Sequence, residues 1–136
     1  MRRELSGYEK GDPVHLSVVA FASNVAAEIK SLLLAKRTID HILVKGFSDG
    51  IPNKGVTYIP ALIPDKCREG LKTELLNDEQ LAFMRGCVVL ALIKDRVGQP
   101  VAGGVLWKSD LYDEKDGGLS GYAYRKVVVE VVLSRR

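Results

Sequence analysis

Cysteine is scarce in this chain of 136 residues: Cys67 and Cys87 are the whole complement. Two are too few, and too far apart, for a Cys-x-x-Cys metal knuckle, and their spacing alone assigns no disulfide. A reducing compartment is therefore the expectation. No uninterrupted apolar run approaches the ~20 residues that span a bilayer, and the charged, glycine-containing N-terminus lacks the apolar core of a secretory signal. A soluble protein without membrane contact is expected. A dominant charge of one sign is missing too, since 20 Lys+Arg against 17 Asp+Glu leave a formal charge of +3. That surplus is far from the dense field of a typical DNA-binding domain, so any nucleic-acid contact would be local. Part of it sits at Arg2, Arg3, Arg135 and Arg136, where terminal charges are expected to be mobile and solvated.

What is present is core-forming material. Hydrophobic residues make up 46% of the chain, enough for one globular domain over residues 1–136 that folds without a staple. Val14, Leu16, Val18 and Ala20 alternate with His15, Ser17, Val19 and Phe21, a period of two that predicts a first strand. Ser23 or Asn24 then caps an amphipathic helix through about Arg37, with Val25, Ile29, Leu32 and Leu33 on one stripe. Ile42 to Val44 reads as a second strand ended by Gly46, and Val56 to Ile63 as a third, with Pro60 placing it at an edge or bulge. Lys66 to Arg85 reads as a partly helical connection. Cys87 to Lys94 is apolar and reads as a fourth strand, turning at Asp95 to Pro100 into a fifth over Val101 to Trp107. Asp110 to Gly121 is a polar, glycine-rich loop, and Tyr124 to Leu133 the last strand. Many strands and one strong helix predict a mainly β fold: a small, irregular antiparallel or mixed β-barrel over about residues 13–134, capped by the helix.

No catalytic constellation emerges. His15 and Ser17 form a His-x-Ser pair, but His41 is followed by Ile42 and Leu43, so the second motif of a two-histidine phosphoesterase is absent. A structural role for His15 is favoured over that enzyme reading. Cys87 in its apolar run is expected to be a buried, inert thiol. Cys67, between Lys66 and Arg68, is the more reactive candidate but lacks an evident imidazole partner. Asp65, Glu69, Asp78 and Glu79 have no metal-ligand spacing with a histidine. Gly103, Gly104, Gly117, Gly118 and Gly121 match no phosphate-binding loop and are read as turn and packing residues. Neither a metal nor a cofactor is expected. The basic residues Arg96, Arg125 and Lys126 stand where strands are predicted to meet loops, where they can be solvated or can bind phosphate. From pattern alone the solvated rim is favoured.

The order of these elements resembles the N-terminal domain of betacoronavirus non-structural protein 1, the leader protein of the replicase. The resemblance rests on Ala123-Tyr124-Arg125-Lys126-Val127 before an aliphatic strand, on Gly104-Val105-Leu106, on the Arg96-Val97-Gly98 turn, on Gly7-Tyr8 and Val14 to Ser17, and on the helix at Ser23 to Arg37. Cys67 to Met84 has no counterpart. The resemblance implies a β-barrel with a helix across one opening, acting as a monomeric host-shutoff factor in the host cell cytoplasm. It implies contacts with the small ribosomal subunit and host mRNA, promotion of mRNA decay, and sparing of RNA carrying the viral 5′ leader. Arg125 and Lys126 would then bind RNA, and Arg96 would serve leader recognition. The family's ribosome-plugging hairpin, with its Lys-His pair, has no match before Arg136, so plugging is not expected of this segment. The competing expectations are a protein-binding barrel without RNA contact and a phosphoesterase using His15.

Overall fold

Valine-rich sequence with buried positions on both faces builds the centre of an open sheet. The computed structural model describes residues 1–6, 8, 15–48, 56–57, 65–68, 75–76, 78–98, 105–113 and 126–134. In chain order the elements are β1 (Arg2–Leu5), α1 (Leu16–Leu34), β2 (Ile39–Ser48), β3 (Val56–Thr57), α2 (Asp65–Arg68), β4 (Leu75–Leu76), α3 (Asp78–Val97), β5 (Trp107–Asp113) and β6 (Val127–Leu133). Four strands form one sheet in the order β1-β6-β2-β5, while β3 and β4 pair separately. β6 runs antiparallel to both β1 and β2, and β5 runs parallel to β2. A parallel pair requires a crossover, and α3 supplies it. Val127, Val128, Val129 and Val131 are all buried, as expected of a strand paired on both sides.

The expected barrel is thus corrected to a two-layer α/β fold. Among the described residues β1 and β5 are the two ends of the sheet and do not pair with each other. α3 lies over β2 and β5, and α1 lies mainly against α3. The largest correction concerns Cys87 to Lys94, which is the middle of α3 and not a strand. A seven-residue apolar run with two valines, Cys87 to Ile93, fits a buried strand and a buried helix equally by pattern. What decides is contact: Leu81, Ala82, Arg85, Val88, Val89 and Ile93 are all buried, at the three- and four-residue steps of one helix face. Asp95, Arg96 and Val97 form the last turn of that helix, which Gly98 ends at φ +83° with its N–H on the Lys94 carbonyl at 3.0 Å. The expected hairpin there does not form, and Val105 and Leu106 precede β5 without joining it.

The predicted first strand is the start of α1. Val18, Ala22, Val25, Ala26 and Ile29 are its buried residues, a helical stripe that overrides the short alternation. The helix therefore begins before Ser23, capped by His15, whose Nδ1 accepts the Ser17 N–H at 3.2 Å. It ends at Leu34 in a Schellman turn: Arg37 N–H bonds Leu32 O and Lys36 N–H bonds Leu33 O, both at 3.0 Å, with Lys36 at φ 59°. With 19 residues and a mean hydropathy of 1.4, α1 is long and apolar enough to cross a membrane by length and composition. Its buried stripe packs on α3, as in the core helix of a folded domain. Gly46 lies within β2, Thr57 ends the described part of the third strand, and β5 extends into the predicted loop as far as Asp113. Residues 58–63, 101–104 and 114–121 of the predicted elements lie outside the described residues. Arg2 and Arg3 are held in β1, not loose at the terminus.

Candidate functional site

The candidate site is the end of the sheet where β1 and β2 finish and where α1 and α3 begin. In open α/β sheets this carboxyl end is where ligands bind, because loops diverge there and helix N-termini point toward it. At its centre is Arg85, on α3 and only 1% exposed. Its Nη1 donates to the Phe47 carbonyl at the end of β2, at 2.8 Å, and its guanidinium carbon stands 5.7 Å from the centroid of the Tyr8 ring. Burying a guanidinium is costly without hydrogen bonds and charge compensation, and the Phe47 carbonyl and the ring face of Tyr8 supply part of both.

A close approach of backbones places this arginine. A Cβ added to Gly46 would fall on the Ala82 carbonyl oxygen and come within 2.8 Å of the Gly86 nitrogen. Glycine in β2 opposite alanine and glycine in α3 lets the helix lie directly on the strand, next to Phe47. A second fastening holds the other side of α3. Cys87 is joined to Cys67 of α2 by a disulfide with a Cα–Cα separation of 5.8 Å, and Cys67 is fully buried. Neither cysteine is the free thiol expected from the sequence, and the reducing compartment is corrected with them, since such bonds persist in oxidising surroundings.

The predicted basic residues take different places. Lys126, just before β6, stands beside this site: its Nζ is 3.4 Å from Glu4 Oε1 and 4.8 Å from the Phe47 ring centroid. Arg96 is at the far end of α3, where Nε donates to Ser23 Oγ at 2.7 Å, tying α3 to α1. The two are not brought together. Arg125 lies outside the described residues. His15 caps a helix, and His41 pairs with Asp40 at 2.7 Å. Among the described residues no group of three His, Cys, Asp or Glu side chains could hold a metal. Arg85 was missed in the sequence; its signal is a lone cation within the apolar stretch from Leu81 to Ile93.

No family model matches this sequence, and neither does any curated protein. Two solved structures share its fold, both of the periplasmic domain of Helicobacter pylori MotB. The first, residues 90–256, has a TM-score of 0.62 at 15% identity over 98% of this chain and 74% of that one. The second, residues 78–256, has a TM-score of 0.62 at 16% identity over 98% of this chain and 76% of that one. This overturns the resemblance to betacoronavirus non-structural protein 1. With it go the host-shutoff role, the ribosome, mRNA and viral leader RNA as partners, and the host cytoplasm as location. The barrel module and the His15 phosphoesterase do not match either. The short motifs behind the resemblance do not survive folding: Arg96-Val97-Gly98 is a helix end, and Gly104-Val105-Leu106 is not a strand over its described part.

Proposed function

We propose that this chain is a periplasmic domain of the MotB type in a bacterial cell-envelope protein, that it acts by binding without an enzymatic centre, and that it docks on peptidoglycan. The observation that carries the reading is the fold shared with the MotB periplasmic domain over 98% of the chain. The Cys67–Cys87 disulfide supports the same compartment from independent chemistry. Peptidoglycan is the polymer a periplasmic domain meets, and its stem peptides carry free carboxylates. Arg85 is the group suited to them, because a guanidinium fork pairs with a carboxylate bidentately and keeps its charge at any physiological pH. Since Arg85 is 1% exposed, binding requires its cover, which includes Tyr8, to yield.

The test is co-sedimentation with purified peptidoglycan sacculi. The disulfide-bonded protein should pellet with sacculi, and Arg85→Met, checked for folding by circular dichroism, should remain in the supernatant. Arg85→Lys should bind at least tenfold more weakly, because a point charge replaces the fork. A folded wild-type protein that never pellets with sacculi refutes the reading; one that pellets equally well as Arg85→Met refutes the assignment of the residue.

A further inference from the structure

We propose that the Cys67–Cys87 disulfide is a positioning device for Arg85: it fixes the roll of α3 on the sheet and so makes competence for ligand an outcome of oxidation. Three successive residues of α3 are gripped by three different parts of the fold. Arg85 donates from Nη1 to the Phe47 carbonyl at the end of β2, at 2.8 Å. Gly86 lies on Gly46, its nitrogen 2.8 Å from where a Cβ there would stand. Cys87 is bonded to Cys67 of α2. Successive helical residues are about 100° apart around the axis, so Arg85 and Cys87 leave α3 on opposite flanks of the line along which Gly86 rests on β2.

A seam between two glycines sets how closely helix and strand approach, but no side chains interlock in it to resist a roll of the helix about its own axis. Roll is the motion to which the arginine is most sensitive. A turn of about 20° carries a group about 6 Å from the axis through about 2 Å, enough to undo the hydrogen bond to Phe47. Aliphatic packing along the buried stripe yields to such a roll by changing rotamers; a covalent bond on the opposite flank does not. Its anchor, α2, has four residues and is too short to persist alone. Its main packing partner among the described elements is α3, and Cys67 is fully buried there. At its other end α3 is tied to α1 by Arg96 and Ser23 at 2.7 Å, so loss of the disulfide frees the Arg85 end.

The bond forms when the two thiols give up two protons and two electrons to the disulfide of a thiol oxidoreductase, which leaves as a dithiol. A copy in a reducing compartment lacks this hold, and its arginine fork is not aimed. Oxidation aims it. The step from aim to ligand rests on the peptidoglycan reading above; the positioning of Arg85 does not.

The experiment compares the disulfide-bonded wild type, the same protein reduced with dithiol, and Cys67→Ala/Cys87→Ala, all well below their melting temperatures. Nuclear magnetic resonance follows the Nε–H signals of the arginines and the methyl signals of the β6 valines, which report the native state and not its stability. In the bonded protein Arg85, beside the Tyr8 ring, should give a signal well separated from that of exposed Arg2. Without the bond it should collapse onto the Arg2 position, while Arg96 on the same helix and the β6 valines stay in place. Sacculi should retain the bonded protein at least tenfold better than the other two. An Arg85 signal unmoved by loss of the bond, or equal retention of all three proteins, would overturn the proposal. So would β6 valine signals that move to unfolded positions, because the bond would then be a staple for the whole domain. If sacculi retain none of the three, peptidoglycan docking is refuted, and the Arg85 signal alone decides the positioning.

Discussion

Helices α3 and α1 lie on the same side of the sheet, yet they are held by opposite means. α3 rests backbone to backbone on β2 at Gly46, Ala82 and Gly86, carries a fully buried arginine and is fastened by a disulfide. α1 is held by side chains: a buried aliphatic stripe against α3, the Arg96–Ser23 hydrogen bond, and an exposed ion pair from Arg3 to Glu28. A backbone contact has no rotamers with which to relax, while a side-chain contact has several. The two helices should therefore differ sharply in what they tolerate.

The sharpest way to break this difference is Gly46→Ala. The added Cβ meets a backbone oxygen and a backbone nitrogen of α3, so the helix itself must lift. We expect a loss of roughly 3 kcal/mol or more, at the high end for overpacking. Thermal unfolding should show it as a fall of roughly 10 °C. An unchanged melting temperature would mean that α3 does not lie directly on β2. Next in size is the staple. The Cys67–Cys87 bridge closes a separation of 20 residues, and its loss should cost about 2 to 3 kcal/mol through the freed unfolded chain. A thermal melt with added dithiol should destabilise the wild type and leave Cys67→Ala/Cys87→Ala unmoved; equal responses would count against the bond.

The same contrast accounts for what could be read in the sequence. β6 and the centre of β2 were legible because valine- and isoleucine-rich runs in paired strands obey their local pattern, and α1 because its stripe from Val25 to Leu33 is amphipathic. α3 was not legible. Asp95 is its one exposed residue among those whose burial is described, so the polar face that would have marked a helical period is missing, and Cys87 to Lys94 resembles a strand. β1 escaped notice because four residues, three of them charged, form a strand only by pairing with β6, more than a hundred positions away. The candidate site was obscured for the same reason. Arg96 and Lys126 look accessible in sequence and are engaged locally in the fold. Arg85 appears as one charge in an apolar helix until Phe47 and Tyr8 are brought around it.

The smallest expected effect comes from the ion pair at the α1 edge. Arg3 and Glu28 meet at 2.8 Å with good bidentate geometry, but their side chains remain 49% and 37% exposed. Solvent and salt screen such a pair, and ordering two long side chains offsets much of the attraction. Arg3→Ala should thus lower stability by only about 0.5 kcal/mol in a denaturant titration, and Glu28→Ala by a similar amount. The double variant should lose little more than either single one, because both remove the same interaction. If Arg3→Ala instead matched Gly46→Ala in cost, α1 would depend on this contact as α3 depends on its backbone seam. The distinction between a helix fixed by its main chain and a helix held by replaceable side chains would then fail.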